Sequence, residues 1–265
     1  MDKKEQIYKK LERAFVSLPQ VLSVSKLNKN TDKNPFVIIP KTGNSVIALN
    51  NLTALKSSSV DTMVREIVYE KLLQVDHDLK KINPNWQLAA SYGWRDLLIQ
   101  QTSFDARYEI LKGQYSDLSD TEIREKTHST IAAPEVAGHP TGGAVDVCIV
   151  ENGKMLDFGT SIGDWTNRDI YAWSPFVSRG AQENRKILRK AMMGQDFAPF
   201  DGEWWHYSYG DREWAYNKKR KIYLFSQKQR ADIVIKQIGR HHNDGRGYFL
   251  SDGKSPFLER ESQEG

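Results

Sequence analysis

Residues 142–150 read Gly-Gly-Ala-Val-Asp-Val-Cys-Ile-Val, an apolar, β-branched run entered through two glycines, and no other stretch constrains the fold as tightly. The pattern predicts a strand. Asp146 stands in its middle, and a buried carboxylate without a partner is strongly disfavoured. The fold must therefore supply that partner. A metal ion is one solution; an arginine or a set of backbone amides is the other.

The neighbouring Cys148 is the only cysteine, which excludes an intrachain disulfide framework and any multi-cysteine zinc or iron–sulfur site. Packing alone has to hold the chain. With 39% of 265 residues hydrophobic, there is enough apolar material for one sizeable core or two small ones, and one large domain is the simplest reading. A net charge of +4 is too small and dispersed to call for nucleic acid. No apolar run approaches the roughly 20 residues that span a bilayer. Met1-Asp2-Lys3-Lys4-Glu5 leads into charged amphipathic sequence rather than the roughly 7 to 15 apolar residues of a secretory signal. The expected location is cytoplasmic, with release by a route other than Sec left open.

Apolar periodicity predicts an amphipathic helix over 3–18, stopped by Pro19, and a second helix over about 60–80. Residues 36–39 and 46–49 flank Lys41-Thr42-Gly43-Asn44 and read as a hairpin. Residues 86–92 read as a buried strand, running through Gly93-Trp94-Arg95 into a helix that ends before Gly113. A short helix over 119–127 precedes the strand that carries Asp146, and Asn152-Gly153 predicts a turn into a returning strand. Residues 159–180 hold Trp, Ser, Asp and Gly without a period, which marks a functional loop. A helix ends near Gly194, strands follow at 204–209 and 222–225, and the chain beyond 235 is charged and glycine-rich. The expected organisation is an N-terminal helix and linker over 1–34, a main domain over 35–235, and a polar extension over 236–265.

Two of the six histidines keep unusual company. His139 lies in Gly138-His139-Pro140-Thr141-Gly142-Gly143, seven residues before Asp146, and His206 closes Gly202-Glu203-Trp204-Trp205-His206. Residues three apart on a strand face opposite sides, so joint action of Glu203 and His206 requires a bend, bulge or turn. Two histidines and a carboxylate would form a three-ligand zinc site with a fourth position open for water, leaving Glu203 free as a base. No His-Glu-x-x-His pair occurs, which excludes the helical metalloprotease arrangement. On the residues alone, the metal site and a purely structural role both stand.

The pair of patterns His139…Asp146 and Glu203-Trp204-Trp205-His206 closely resembles the zinc D-alanyl-D-alanine dipeptidases of the vancomycin-resistance type. More loosely, it resembles related D,D-carboxypeptidases and phage L-alanyl-D-glutamate endopeptidases. Tyr92-Gly93-Trp94-Arg95, followed by Gln100 and Gln101, is similar to the family's Gly-Tyr-Arg segment, and the three elements lie in the family's order over about residues 85–210. The resemblance implies an α+β fold with a central, mostly antiparallel sheet and flanking helices, as in the hedgehog and D,D-peptidase folds. It implies one zinc ion per chain held by His139, Asp146 and His206, with Glu203 as general base and Arg95 on the developing oxyanion. It also implies a small peptide substrate derived from peptidoglycan metabolism, with Asp164, Tyr92 and Trp205 as candidate substrate contacts. Ala137 replaces a serine common in these dipeptidases, Tyr92 an aspartate and Asp96 a proline; these departures bear on dipeptide recognition and leave the zinc chemistry untouched. The alternatives are a carboxypeptidase or endolysin-like endopeptidase with an open groove, and a non-catalytic zinc module of the hedgehog kind. The latter would need neither Glu203 nor Arg95.

The remaining candidates have bland readings. Cys148 is a core thiol, Asp76-His77-Asp78 a solvated cluster at a helix end, and His241-His242-Asn243-Asp244 a surface loop. His128 has no visible partner, and Lys218-Lys219-Arg220-Lys221 is a solvated turn.

Overall fold

The structure, a computed structural model, describes residues 2–49 and 61–238. In chain order the elements are α1 (Lys3–Glu12), α2 (Leu18–Leu22), β1 (Lys26–Leu27), β2 (Phe36–Ile38), β3 (Ile47–Ala48), β4 (Met63–Arg65) and α3 (Glu66–Ile82). There follow β5 (Trp86–Tyr92), α4 (Leu97–Gln114), α5 (Asp120–His128), β6 (Ala144–Glu151), β7 (Lys154–Met155), α6 (Arg179–Gly194), β8 (Ala198–Pro199), β9 (His206–Ser208), α7 (Arg212–Asn217) and β10 (Ile222–Tyr223).

The strand around Asp146 is the spine. From Ala144 to Val150 every residue of β6 is buried, and it pairs antiparallel with β5, β9 and β7. The main sheet runs β3-β5-β6-β9-β8, with β7 on β6. Burying each of its Val and Ile side chains contributes roughly 1.5–3 kcal/mol. The apolar stripe of α3, with Val68, Leu72, Val75 and Leu79, packs into the same core. A smaller core joins Leu18 and Val21 of α2 to Phe104 of α4 and to Ala133 and Val136.

The fold is α+β with flanking helices, and its sheet is mixed rather than mostly antiparallel. β3 lies parallel to β5, because β4 and the crossover helix α3 separate them in the chain. The expected hairpin over 36–49 does not form: β2 pairs antiparallel with β4 in a separate sheet. The local turn signal gives way to an apolar pairing that buries Phe36, Val37, Met63 and Val64. The predicted helix over 60–80 accordingly begins as strand β4 and turns helical at Glu66. Pro19 does not end the first helix; it sits in the first turn of α2, where its missing N–H costs nothing. β8 follows α6 directly, and α7 fills the stretch between the two expected strands, capped by Asp211, whose carboxylate accepts from the Trp214 amide at 2.8 Å.

Two ionisable groups read as bland are structural. Asp76 is buried, accepting from the Leu88 amide at 2.8 Å and from Lys80 at 2.6 Å, and so ties α3 to β5; only His77 and Asp78 of that cluster face solvent. His128 has a partner after all, its Nδ1 accepting from the Ala133 amide at 3.1 Å. Burial pushes the His128 imidazolium down to about 4 from its ordinary 6.5. The folded state therefore binds this proton more weakly than the unfolded chain, so stability is complete above pH 6.5 and falls as pH drops towards 4. The loss amounts to about 3 kcal/mol. Denaturant titrations of the wild type and His128→Gln at pH 7 and pH 4.5 check this: the variant should lose less stability between the two, and an equal loss would contradict it. Lys218 and Arg220 lie in a turn, paired with Asp196. His241-His242-Asn243-Asp244 and the rest of 239–265 lie outside the described residues. Within them, no helix is long and apolar enough to cross a membrane.

Candidate metal centre

The sheet register assembles the site. Asp146 on β6 lies directly opposite His206 on β9 and opposite Tyr92 on β5, so three strands place these residues in one row. The β5–β6 ladder is interrupted between Ala90 and Tyr92, leaving Ser91 as a bulge residue, a device that re-aims the side chain beyond it. His139 enters on a 3₁₀ turn, His139–Thr141, closed by Gly142 at φ +71°, a conformation that favours glycine. A Cβ at Gly142 would also stand 2.2 Å from the Phe36 ring.

Arg65 holds this turn from below. Its buried guanidinium donates to the carbonyls of Thr141 at 2.8 Å and Asn34 at 2.6 Å, and lies over the rings of Phe36 and Phe225. Burial pushes its pKa down to about 10, against the pull of Asp32, so it remains a cation at neutral pH.

The His139 Nδ1 lies 2.7 Å from the carbonyl of Gly93. Only an N–H can bond a carbonyl there, which leaves Nε2 unprotonated, 3.5 Å from Asp146 Oδ1. His206 Nδ1 is 3.0 Å from the same oxygen. One ligand atom from each of His139, Asp146 and His206 falls within 4.8 Å of the others. Zinc bonds of about 2.0–2.1 Å in tetrahedral geometry imply ligand–ligand edges of about 3.3 Å; the two edges to Asp146 Oδ1 bracket that value, and the third pair lies within 4.8 Å. The donor set, two imidazoles and a carboxylate, is one that catalytic zinc uses.

The three side chains shift one another's proton affinities. Burial alone would raise the Asp146 carboxyl, but the two imidazoles outweigh it and hold it well below the usual carboxylate range. Burial pushes His139 down. On His206 burial acts in the same direction, yet the Asp146 hydrogen bond and charge, with Glu203, overcome it and raise the imidazolium to about 9.

Glu203 reaches the cluster through a turn, which meets the condition set by its three-residue spacing from His206. The His206 amide donates to the Glu203 carbonyl at 3.2 Å, and the Glu203 amide to that of Phe200 at 3.3 Å. Glu203 Oε2 thereby stands 4.0 Å from His206 Nδ1. Burial, joined by the Asp146 charge, raises its carboxyl pKa. On the other side, Arg95 donates to the Tyr92 hydroxyl at 3.2 Å and to Gln100 Oε1 at 2.9 Å, and Gln100 is fixed to the Ala132 carbonyl at 2.7 Å. The Tyr92 ring meets His139 edge-on, 5.2 Å between centroids. The positive charge of Arg95 acts on both His139 and Glu203.

Comparison with known proteins supplies the family. The family described as D-ala-D-ala dipeptidase matches residues 64–226, more than half of the chain. The chain belongs to the D-ala-D-ala dipeptidase family. It is 26% identical over 182 residues to a D-alanyl-D-alanine dipeptidase of Synechocystis, covering 60% of this chain and 74% of that one. A D-alanyl-D-alanine dipeptidase of Escherichia coli is 35% identical over 72 residues, which is 27% of this chain and 37% of the relative. Among solved structures, VanYB in complex with D-alanine-D-alanine aligns with a TM-score of 0.37 at 16% identity, covering 75% of this chain and 94% of that one. The LdcB LD-carboxypeptidase aligns with a TM-score of 0.39, also at 16% identity, covering 78% and 81%.

For this dipeptidase-family peptidase, the structure brings together His139, Asp146, His206, Glu203, Tyr92 and Arg95. It does not bring Trp205 to the site's surface: that ring is 0% exposed and packs edge-on against Trp204 inside the core. As a substrate contact Trp205 is corrected to a core residue, because the turn that presents Glu203 and His206 directs both residues between them, Trp204 and Trp205, inward. Asp164 lies in the 159–178 loop, its carboxylate bonded to Thr166 at 2.7 Å. Its neighbour Trp165 touches the site, the indole Nε1 donating to Glu203 Oε1 at 2.7 Å. Sequence reasoning missed Trp165, Arg65 and the anchoring role of Gln100. The aperiodic, tryptophan-bearing loop was the available signal for the first; nothing local marks the other two.

Proposed function

We propose that this chain is a zinc-dependent dipeptidase that hydrolyses D-alanyl-D-alanine, or a similarly small D-amino-acid peptide, with one ion held by His139, Asp146 and His206. The observation that carries the reading is the cluster of three ligand atoms flanked by a half-buried carboxylate and a fixed guanidinium. When bound, zinc supplies Lewis acidity and makes a water molecule acidic enough to act near neutral pH.

Glu203 Oε2 accepts a proton from the attacking water. Burial fits it for the task, since raising the carboxyl's pKa makes its carboxylate a stronger proton acceptor. Glu203 then returns the proton to the amine nitrogen as the peptide C–N bond breaks, releasing two D-alanines. Arg95, oriented by Tyr92 and Gln100, donates to the substrate carbonyl oxygen and stabilises the negative charge that builds there. Asp164 is assigned to the substrate's approach through the 159–178 loop, and Tyr92 to the wall beside His139. The catalytic unit comprises 35–235, with 1–34 folded against it and 236–265 as an extension.

Substrate size tests the reading. D-alanine release from free D-alanyl-D-alanine, with none from a pentapeptide ending in the same pair, is the expected result. Cleavage of the pentapeptide alone would replace it with a carboxypeptidase, and activity confined to intact peptidoglycan with an endopeptidase. A chain that binds zinc but cleaves none of the three would be a binding module.

A further inference from the structure

We propose that Trp165 is a positioning residue for Glu203: its indole N–H holds Oε1 and so turns Oε2 toward the metal ligands. The inference rests on reading Glu203 as the proton acceptor, and three observations carry it.

The hydrogen bond is short and charge-assisted, 2.7 Å from Nε1 to Oε1. It accounts for one carboxylate oxygen and leaves the other 4.0 Å from His206 Nδ1. A carboxylate that must face a reacting water gains rate from losing its other rotamers beforehand.

Trp165 is 47% exposed. An indole that exposed contributes little to the core, so its contact with Glu203 is not a by-product of packing.

The loop around Trp165 is fastened on both shoulders to the Glu203 turn and to α1. On the near side Trp204 stacks on Phe158 at 4.1 Å and donates to Thr160 Oγ1 at 2.9 Å. On the far side the Trp204 amide donates to the Ile170 carbonyl at 3.0 Å, and the Ala172 amide to that of Asp201 at 2.9 Å. Arg185, buried, donates to the carbonyls of Phe158, Asp169 and Tyr171 and so spans both shoulders. From α1, Tyr8 donates to Asp169 at 2.6 Å, while Glu12 accepts from Tyr171 at 2.7 Å. Gly163 takes φ +79°, turning the chain just before Trp165. A loop so anchored holds its tip in place, as a positioning role requires.

The test is Trp165→Phe in the full zinc-loaded chain, assayed for D-alanine release from D-alanyl-D-alanine. Phenylalanine keeps an exposed ring and removes the donor. The expected result is a fall in kcat of about 10-fold with KM changed less than about twofold. Added to Glu203→Ala, the same substitution should leave the residual rate unchanged. In metal-free protein, the indole Nε1–H proton resonance of Trp165, assigned by its loss in Trp165→Phe, should move upfield in Glu203→Ala. Wild-type kcat in Trp165→Phe, an equal loss in both backgrounds, or an unmoved resonance would overturn the proposal. Full activity of Glu203→Ala alone would instead overturn the reading on which it rests.

Discussion

Glu203→Gln is expected to lower kcat for D-alanyl-D-alanine hydrolysis by about 10²–10⁴-fold, the range that positioned proton transfer contributes, while the protein still binds one zinc. Glutamine keeps the shape of the side chain and an acceptor oxygen for Trp165, but it cannot take a proton from water. It also removes a carboxylate that burial disfavours, as its raised pKa records. Thermal stability should therefore hold or rise while activity collapses, a combination that separates loss of chemistry from loss of fold. Zinc content, Tm and released D-alanine, measured on one preparation, check the prediction. A Glu203→Gln protein with full zinc and wild-type kcat would remove Glu203 from the mechanism.

The second large effect belongs to Asp146. Replacing it with Asn keeps the volume inside β6 but removes the negative charge shared by two imidazoles. Since even an outer partner of a metal ligand is worth roughly 10–100-fold in affinity, zinc binding should weaken by more than about 100-fold and activity should disappear at stoichiometric zinc. Excess zinc should restore part of it. The structural alternative, in which Asp146 merely satisfies buried histidines, predicts a destabilised protein whose zinc affinity does not change. Zinc titration by competition with a chromogenic chelator distinguishes the two.

The site was more legible in the sequence than the fold around it. Asp146 was conspicuous because a charge inside an apolar strand has to be accounted for, and the two histidines in unusual company, His139 and His206, are the groups that pair with it. The spacing of Glu203 and His206 even required the turn that the chain makes. β5 was readable residue for residue, 86–92, because a short apolar run between Pro84 and Gly93 has few other fates. The outer sheet was not readable. β2 has equally apolar partners available in β3 and β4, and only the global fold decides between them. Pro19 was misread because proline stops one helix and starts the next with the same chemistry. Arg65 and Trp165 were missed for one shared reason: each acts on a residue at least 30 positions away, and no local pattern records such a contact. Gln100 was noticed as a neighbour of Arg95, but its anchor, the Ala132 carbonyl, is as distant.

The most direct test of the central claim is D-alanine release by the purified chain before chelation, after chelation, and after return of one equivalent of zinc, with folding monitored throughout. The account predicts that hydrolysis of D-alanyl-D-alanine is lost with the metal while the protein stays folded on its β6 core, and that it returns at one zinc per chain. An undiminished rate in the chelated protein, or failure of zinc to revive a folded one, would contradict it.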